Sequence, residues 1–228
     1  ERLLFLLGSM AVGGGLGDAF YVSSMARLGV SRAFPVASSY PAITLLLAAI
    51  FLQEHITIAT IGGLVLVLGG IFLISRQVAR PGSLETPAKA WPGIPFALLA
   101  SLCWAASMLL VAPGIEGLDA IMVASFRTPA LALMMCGVVT VRKTWPALRT
   151  LSRREWVMLL TGGLIGWGLG SVLFLLSVSL LGATRAAILT STSPLFALPF
   201  SVLLLREKVT LPIACGTLLT VTGVALVA

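Results

Sequence analysis

The feature that most constrains this chain is a succession of apolar stretches, each long enough to cross a lipid bilayer. A helix needs roughly 20 apolar residues to traverse the hydrocarbon core. Stretches of that order lie at 3–26, 33–52, 57–75, 93–113, 120–141, 156–181, 186–205 and 210–228. They run on without alternating polarity, which favours helices over the strands of about 10 residues that build membrane barrels. The breaks at 27–32, 53–56, 182–185 and 206–209 are short enough to be tight turns between antiparallel neighbours. Of the 228 residues only 10% are charged and 58% are hydrophobic, with a mean hydropathy of +1.08. Soluble domains carry about 25% charged residues, and a water-soluble fold could not hide so much apolar surface. The expected fold class is therefore all-α: a polytopic membrane helical bundle of about eight transmembrane helices.

The net charge of +7 invites a nucleic-acid reading, but the basic residues sit in short segments between apolar stretches, as loops between membrane helices do. Nucleic acid is not an expected partner. Cys103, Cys136 and Cys215 all fall inside apolar stretches, with neither disulfide nor metal spacing. His55 is the single histidine, so no multi-histidine metal site is expected, and no cofactor motif is visible.

An internal duplication narrows the reading. Displacing the chain by 153 residues lays 17–73 over 170–226 without a gap. Gly17 then meets Gly170, Gly29 meets Gly182, Ser38 meets Ser191, Pro41 meets Pro194, Glu54 meets Glu207, Gly63 meets Gly216 and Gly70 meets Gly223. The division that follows is 1–75 as the last three helices of a first unit, 76–92 as a Pro-containing linker, and 93–228 as a complete five-helix second unit. The expected architecture is two five-helix repeats, with the first two helices of the first repeat absent. An odd helix number per copy inverts one copy against the other, an arrangement common in secondary transporters, with the solute site near the midplane where the copies meet.

Successive loops alternate sides. One face collects Arg27, Arg32, Arg76, Arg80, Lys89, Arg142, Lys143, Arg149, Arg153, Arg154, Arg206 and Lys208. The other carries Arg2 and Arg185 with Glu1, Glu54, Glu116 and Asp119. The positive-inside rule puts the first face in the cytoplasm.

The ordered set Gly29-Val-Ser-Arg-Ala, Pro41, Gln53-Glu54 and Gly63-x6-Gly70 recurs as Gly182-Ala-Thr-Arg-Ala, Pro194, Arg206-Glu207 and Gly216-x6-Gly223. This pattern resembles the EamA-type branch of the drug/metabolite transporter superfamily, over essentially the whole chain. The resemblance implies ten helices in two inverted repeats, a multi-pass protein of the cell membrane, and export of amino acids, other metabolites or drugs. It also implies both termini in the cytoplasm, against the charge count, so orientation stays open. Expected partners are a small-molecule solute, the lipid bilayer and protons for coupling, with the full-length protein acting as a monomer.

Several residues could carry chemistry. Asp18 stands inside the first apolar stretch, where a charge costs about 2.5–3.5 kcal/mol unless it faces a cavity or a partner. It is a candidate proton- or cation-binding carboxylate, or a residue at an aqueous mouth. Arg127 can clamp a carboxylate with its planar fork or snorkel to an interface. The polar runs Ser38-Ser39-Tyr40-Pro41 and Thr190-Ser191-Thr192-Ser193-Pro194 are equivalent in the two copies. Each offers hydroxyls and a carbonyl freed by proline to a cavity, or packs helix on helix. Tyr21, Trp104, Ser107 and Trp167 could complete an aromatic and hydroxyl lining. Trp91, Trp145 and Trp156 suit an interfacial belt instead. The glycine runs 13–17 and 162–170 lack the strand and Lys-Ser/Thr of a phosphate loop and read as close packing or a hinge. Glu54 and Glu207 read as acids favouring the N-terminal ends of the following helices, with Thr57 and Thr210 as caps.

The leading function is a secondary transporter. A lipid-modifying membrane enzyme would need clustered acids or histidines near one interface, and only Glu116 and Asp119 come close. A non-transporting membrane scaffold is the other alternative.

Overall fold

The computed structural model describes residues 2–28, 30–78, 93–141, 143, 145–193 and 211–227; Gly29, Pro194, Glu207 and most of the 76–92 linker fall outside them. Regular structure among these residues is entirely helical. In chain order the helices are α1 (Arg2–Leu28), α2 (Val30–Ala37), α3 (Tyr40–Phe51), α4 (Ile58–Val78), α5 (Ile94–Ile115), α6 (Ala120–Val141), the short α7 (Trp145–Arg149), α8 (Arg153–Thr190) and α9 (Leu211–Val227). Among the described residues, α1, α5, α6, α8 and the α2–α3 run from Ala33 to Phe51 are long and apolar enough to cross a membrane. Ile58–Leu73 and Ala214–Val227 are shorter apolar helices. Large apolar side chains face outward along these elements, Ile58 at 90% and Val141 at 83% exposure among them. The chain is a helical membrane bundle.

Lipid offers backbone groups no hydrogen-bond partner, so each segment satisfies them internally. Side-chain hydroxyls obey the same constraint: Ser24, Thr44 and Thr220 donate back to the carbonyls of Tyr21, Tyr40 and Gly216 at 2.9, 3.0 and 2.8 Å. At the helix starts, Asp119 Oδ1 accepts from the Ile121 and Met122 amides at 2.9 and 3.0 Å. Thr57 Oγ1 accepts from the Thr60 amide at 3.1 Å, the cap expected of it. Ser152 and Glu155 form a reciprocal capping box at the start of α8.

Three local features differ from the sequence reading. The stretch 33–52 is two helices meeting at Ser38-Ser39, not one helix with a proline inside it. Pro41 lies in the first turn of α3, where no N–H is needed, so the interruption is a two-residue turn that carries two hydroxyls. The stretches 156–181 and 186–205 are joined more closely than a four-residue turn. Gly182 alone, at φ 81° and ψ 174°, divides α8 into 153–181 and 183–190, a conformation only glycine adopts cheaply. Glu54 does not serve the helix that follows it. Its two carboxylate oxygens accept from the Ala183 and Thr184 amides at 2.6 and 3.2 Å, capping the second segment of α8 from across the bundle.

The tightest contact in the fold joins α4 to α9. A Cβ built on Gly63 would lie 2.7 Å from the Gly223 carbonyl oxygen, and one on Gly223 the same distance from the Gly63 oxygen. Gly70 meets Gly216 and Thr220 in the same manner. The early part of α4 therefore faces the late part of α9, and the two helices run antiparallel with backbones touching, as glycine permits in membranes. Gly62 and Gly69, one residue away, have open space where a Cβ would be.

At one end of the bundle an apolar layer packs Leu6 of α1, Ala48 of α3, Val111 and Ile115 of α5, Val123 of α6, and Val178 and Ala183 of α8 against one another. Overpacking a tight interface costs about 1–3 kcal/mol. Gly223→Val should lower the thermal midpoint in detergent by several degrees, whereas Gly62→Ala and Gly69→Ala should leave it unchanged or raise it. Equal effects at all three positions would remove the α4–α9 contact from this account.

Candidate functional site

Above the apolar layer lies a cavity of about 350 Å³. Met108 belongs to both, so the layer forms the cavity's floor. The volume is in the range of small-molecule sites, about 300–1,000 Å³. Most of the wall is apolar or aromatic, with the polar groups concentrated at a few points.

The acidic point is Asp18, on the α1 segment that follows the glycine run. The Trp104 indole Nε1 of α5 donates to its Oδ1 at 2.9 Å. Trp104 is itself wedged between two tyrosines, with ring centroids 5.2 Å from Tyr21 and 5.7 Å from Tyr40. The Tyr40 hydroxyl donates to the Ala187 carbonyl at 3.0 Å and ties α3 to α8. A half-buried carboxylate with an indole donor and, among the described residues, no counter-charge is an environment that attracts cations.

The basic point is Arg127, on α6. It is buried, at 4% exposure, and does not snorkel to an interface. One terminal nitrogen donates to Ser9 Oγ at 3.0 Å, and Ser9 Oγ donates to the Leu6 carbonyl at 2.6 Å. The guanidinium carbon lies 5.7 Å from the Phe174 ring centre. Its Nε is buried with no hydrogen-bond partner. Among the described residues neither Asp18 nor Arg127 makes an ion pair, so the cavity holds an acid and a base that do not neutralise each other directly. A buried guanidinium with an unfilled donor is suited to an incoming anion, which would fill it with a charge-assisted bond.

The glycine run in α1 makes this approach possible. A Cβ on Gly13 would lie 2.8 Å from the Ser107 Cβ, and one on Gly17 would lie 2.8 Å from the Trp104 ring. The run is a packing device here, as its sequence suggests. The second run behaves differently: Gly162, Gly163 and Gly166 have nothing within 4 Å of a built Cβ.

Of the candidate residues read from sequence, Asp18, Ser38, Tyr40, Trp104, Ser107, Arg127, Trp167, Ser191 and Ser193 line this one cavity. Tyr21 stands behind Trp104. Pro41 and Glu54 do not line it, and Pro194 and Glu207 lie outside the described residues. Sequence reasoning missed Ser9 and Phe174, and met Ser171 only as the repeat partner of Asp18. Ser9 lies four residues before Gly13 and so on the same helix face, and it is the lone hydroxyl of its apolar turn. Ser171 and Phe174 are the positions that the 153-residue displacement pairs with Asp18 and Tyr21. Of the two acids an interfacial enzyme site could have used, Asp119 is engaged in capping α6.

The fold and cavity define a multi-pass membrane protein with a solute-sized internal site. The family model for EamA-like transporters matches residues 1–76 and 91–228, and the chain belongs to that family. An uncharacterized transporter of Archaeoglobus fulgidus is 24% identical over 211 residues, spanning 92% of this chain and 70% of that protein. The uncharacterized inner membrane transporter YhbE of Escherichia coli K12 is 26% identical over 141 residues, spanning 60% of this chain and 43% of YhbE. A crystal structure of a protein with 19% identity superposes with a TM-score of 0.72 over 97% of this chain and 86% of its own.

Burying a charge without a counter-charge costs free energy, and an apolar side chain of similar length relieves that cost. Arg127→Met should therefore keep or raise the thermal midpoint in detergent while lowering transport at least tenfold. A destabilised Arg127→Met protein would show that the guanidinium is a structural strut.

Proposed function

We propose that the chain is the solute-handling part of a secondary transporter of the plasma membrane, which exports small metabolites such as amino acids or drugs by alternating access between inverted repeats. One observation carries this reading. The 153-residue displacement pairs Gly13 with Gly166, Gly14 with Trp167, Asp18 with Ser171, Ser38 with Ser191 and Tyr40 with Ser193, and all ten residues line the same cavity. A cavity walled by equivalent positions of two copies is what a repeat interface produces, and repeat interfaces are where such transporters bind solute.

The α4–α9 contact supports the same arrangement. These helices are equivalent under the displacement, yet Gly63 packs on Gly223 and Gly70 on Gly216, so equivalent helices run in opposite directions. Two inverted copies allow one wall to rock against the other and expose the cavity to either side in turn.

In this reading Arg127 seats an anionic group of the solute, Asp18 accepts a proton or a cationic group, and the apolar and aromatic wall takes the remainder. A carboxylate that binds and releases a proton while the cavity changes sides couples solute movement to the proton gradient.

Counterflow of a labelled amino-acid mixture in proteoliposomes tests the class, because an enzyme or a scaffold produces none. Asp18→Asn should flatten the dependence of uptake on pH between 5 and 8 while exchange persists. A mutant that keeps the parent's pH profile removes Asp18 from coupling.

A further inference from the structure

We propose that Glu54 is a latch that holds the floor of the cavity shut, and that its carboxylate must leave the α8 amides for solute to pass on that side. The proposal rests on the alternating-access reading above and adds the element that keeps one face closed.

The latch is built from two uncommon backbone conformations that face each other. Gln53 has φ 55°, a left-handed conformation uncommon for a residue with a side chain. It turns the chain out of α3 and presents Glu54 toward α8. On the other side Gly182, at φ 81°, ends the first segment of α8 and leaves the amides of the second without helical partners. Glu54 Oε1 takes the Ala183 amide at 2.6 Å and Oε2 takes Thr184 at 3.2 Å. The fit excludes any side chain at 182, where a built Cβ would lie 2.8 Å from Oε1. A carboxylate at a helix N-terminus is also favoured by the helix dipole.

Its position relates the latch to the cavity. Glu54 belongs to the first copy, and Ala183 and Thr184 to the second. The segment 183–190 runs from the latch to the cavity, where Thr190, Ser191 and Ser193 line the wall. Eight residues of helix separate Ala183 from Ser191, about 12 Å at 1.5 Å per residue. Over that interval Ala183, Ala186 and Ala187 sit in the apolar layer with Ala48 of α3. To open the floor, α3 must part from this segment. The apolar contacts carry no directional tie, so Glu54 is the polar bond at the outer end of that seam, and the Tyr40–Ala187 bond is the one at its inner end.

Two observations distinguish a latch from a permanent cap. Glu54 is half-buried, so water replaces the amides when it leaves, and the net cost of exchanging one set of hydrogen bonds for another is small. Thr184 Oγ1 is buried beside the latch with no hydrogen-bond partner, so the closed arrangement leaves a polar group unsatisfied that entering water would satisfy.

A reporter for the floor is Met108→Cys, placed in a background where Cys103, Cys136 and Cys215 are serine. Its reaction with a membrane-impermeant maleimide is compared in intact cells and inverted vesicles, with counterflow measured in parallel. In the parent the latch face should protect the thiol. Glu54→Gln, which keeps the size but loses the charge, should raise labelling from that face about tenfold or more. Gly182→Ala, which occupies the carboxylate's space, should act in the same direction. Glu54→Asp, which keeps the charge with a shorter reach, should fall between Gln and the parent. Labelling from the latch face that stays at the parent rate in a folded Glu54→Gln protein overturns the latch. So does loss of the fold in both Glu54→Gln and Gly182→Ala, since a contact the fold cannot lose is a cap and not a latch. Shifted labelling without counterflow would leave the latch standing and remove the transport reading.

Discussion

In lipid a polar group must find its partner inside the protein, and most of what is specific in this structure follows from where each one finds it. Ser24, Thr44 and Thr220 turn back on their own helices and leave the surface apolar. Tyr40, Trp104 and Glu54 instead reach across to other segments, and those reaches define the fold's geometry. Arg127 finds only part of what it could bind. The gradation runs from groups that close on themselves, through groups that join segments, to groups left open, Arg127 in the cavity and Thr184 beside Glu54.

The close approach of α4 and α9 obeys the same constraint with a different chemistry. Apolar side chains gain little by leaving lipid for one another, so association relies on dispersion and backbone proximity. Glycine at 63, 70, 216 and 223 supplies that proximity. Where glycine meets nothing, as at 162 and 163, the same residue type leaves an open surface and no contact. Composition alone does not distinguish these cases, since the run at 162–170 carries five glycines and the packed run at 13–17 carries four.

Much of the architecture was legible in the sequence because hydropathy reports helix length directly. Five of the membrane-length stretches return as helices of that length among the described residues, and each is a local pattern. Asp18 and Arg127 stood out because charge is rare in such stretches, and both line the cavity. What the sequence concealed is non-local. Glu54 could be read as an acid at a helix start, but not as the cap of a helix 129 residues away. Pro41 could be read as a helix irregularity, but not the turn at Ser38-Ser39 nor the contact it makes with α5, where Ser39 Oγ lies 3.2 Å from Ser101 Oγ. Ser9 carried no signal beyond its polarity until Arg127 was seen to need it.

Under the repeat reading the cavity has a symmetric frame and an asymmetric lining, and the two have different jobs. Glycine pairs with glycine at 13 and 166, and serine with serine at 38 and 191, although Gly13 packs on Ser107 while Gly166 has open space beside it. Under the proposed alternating access the frame has to tilt either way at similar cost, since a state much lower in energy would trap the protein. The lining departs from symmetry where recognition is needed: Asp18 faces Ser171 across the displacement, Tyr40 faces Ser193, and Tyr21 faces Phe174. A symmetric lining would place two carboxylates in one low-dielectric cavity, each raising the cost of ionising the other. Replacing one of them by Ser171 leaves a single acid, paired with an indole donor in place of a counter-charge. In that reading the duplication would supply the motion, and the loss of identity at a few of its positions would supply the chemistry.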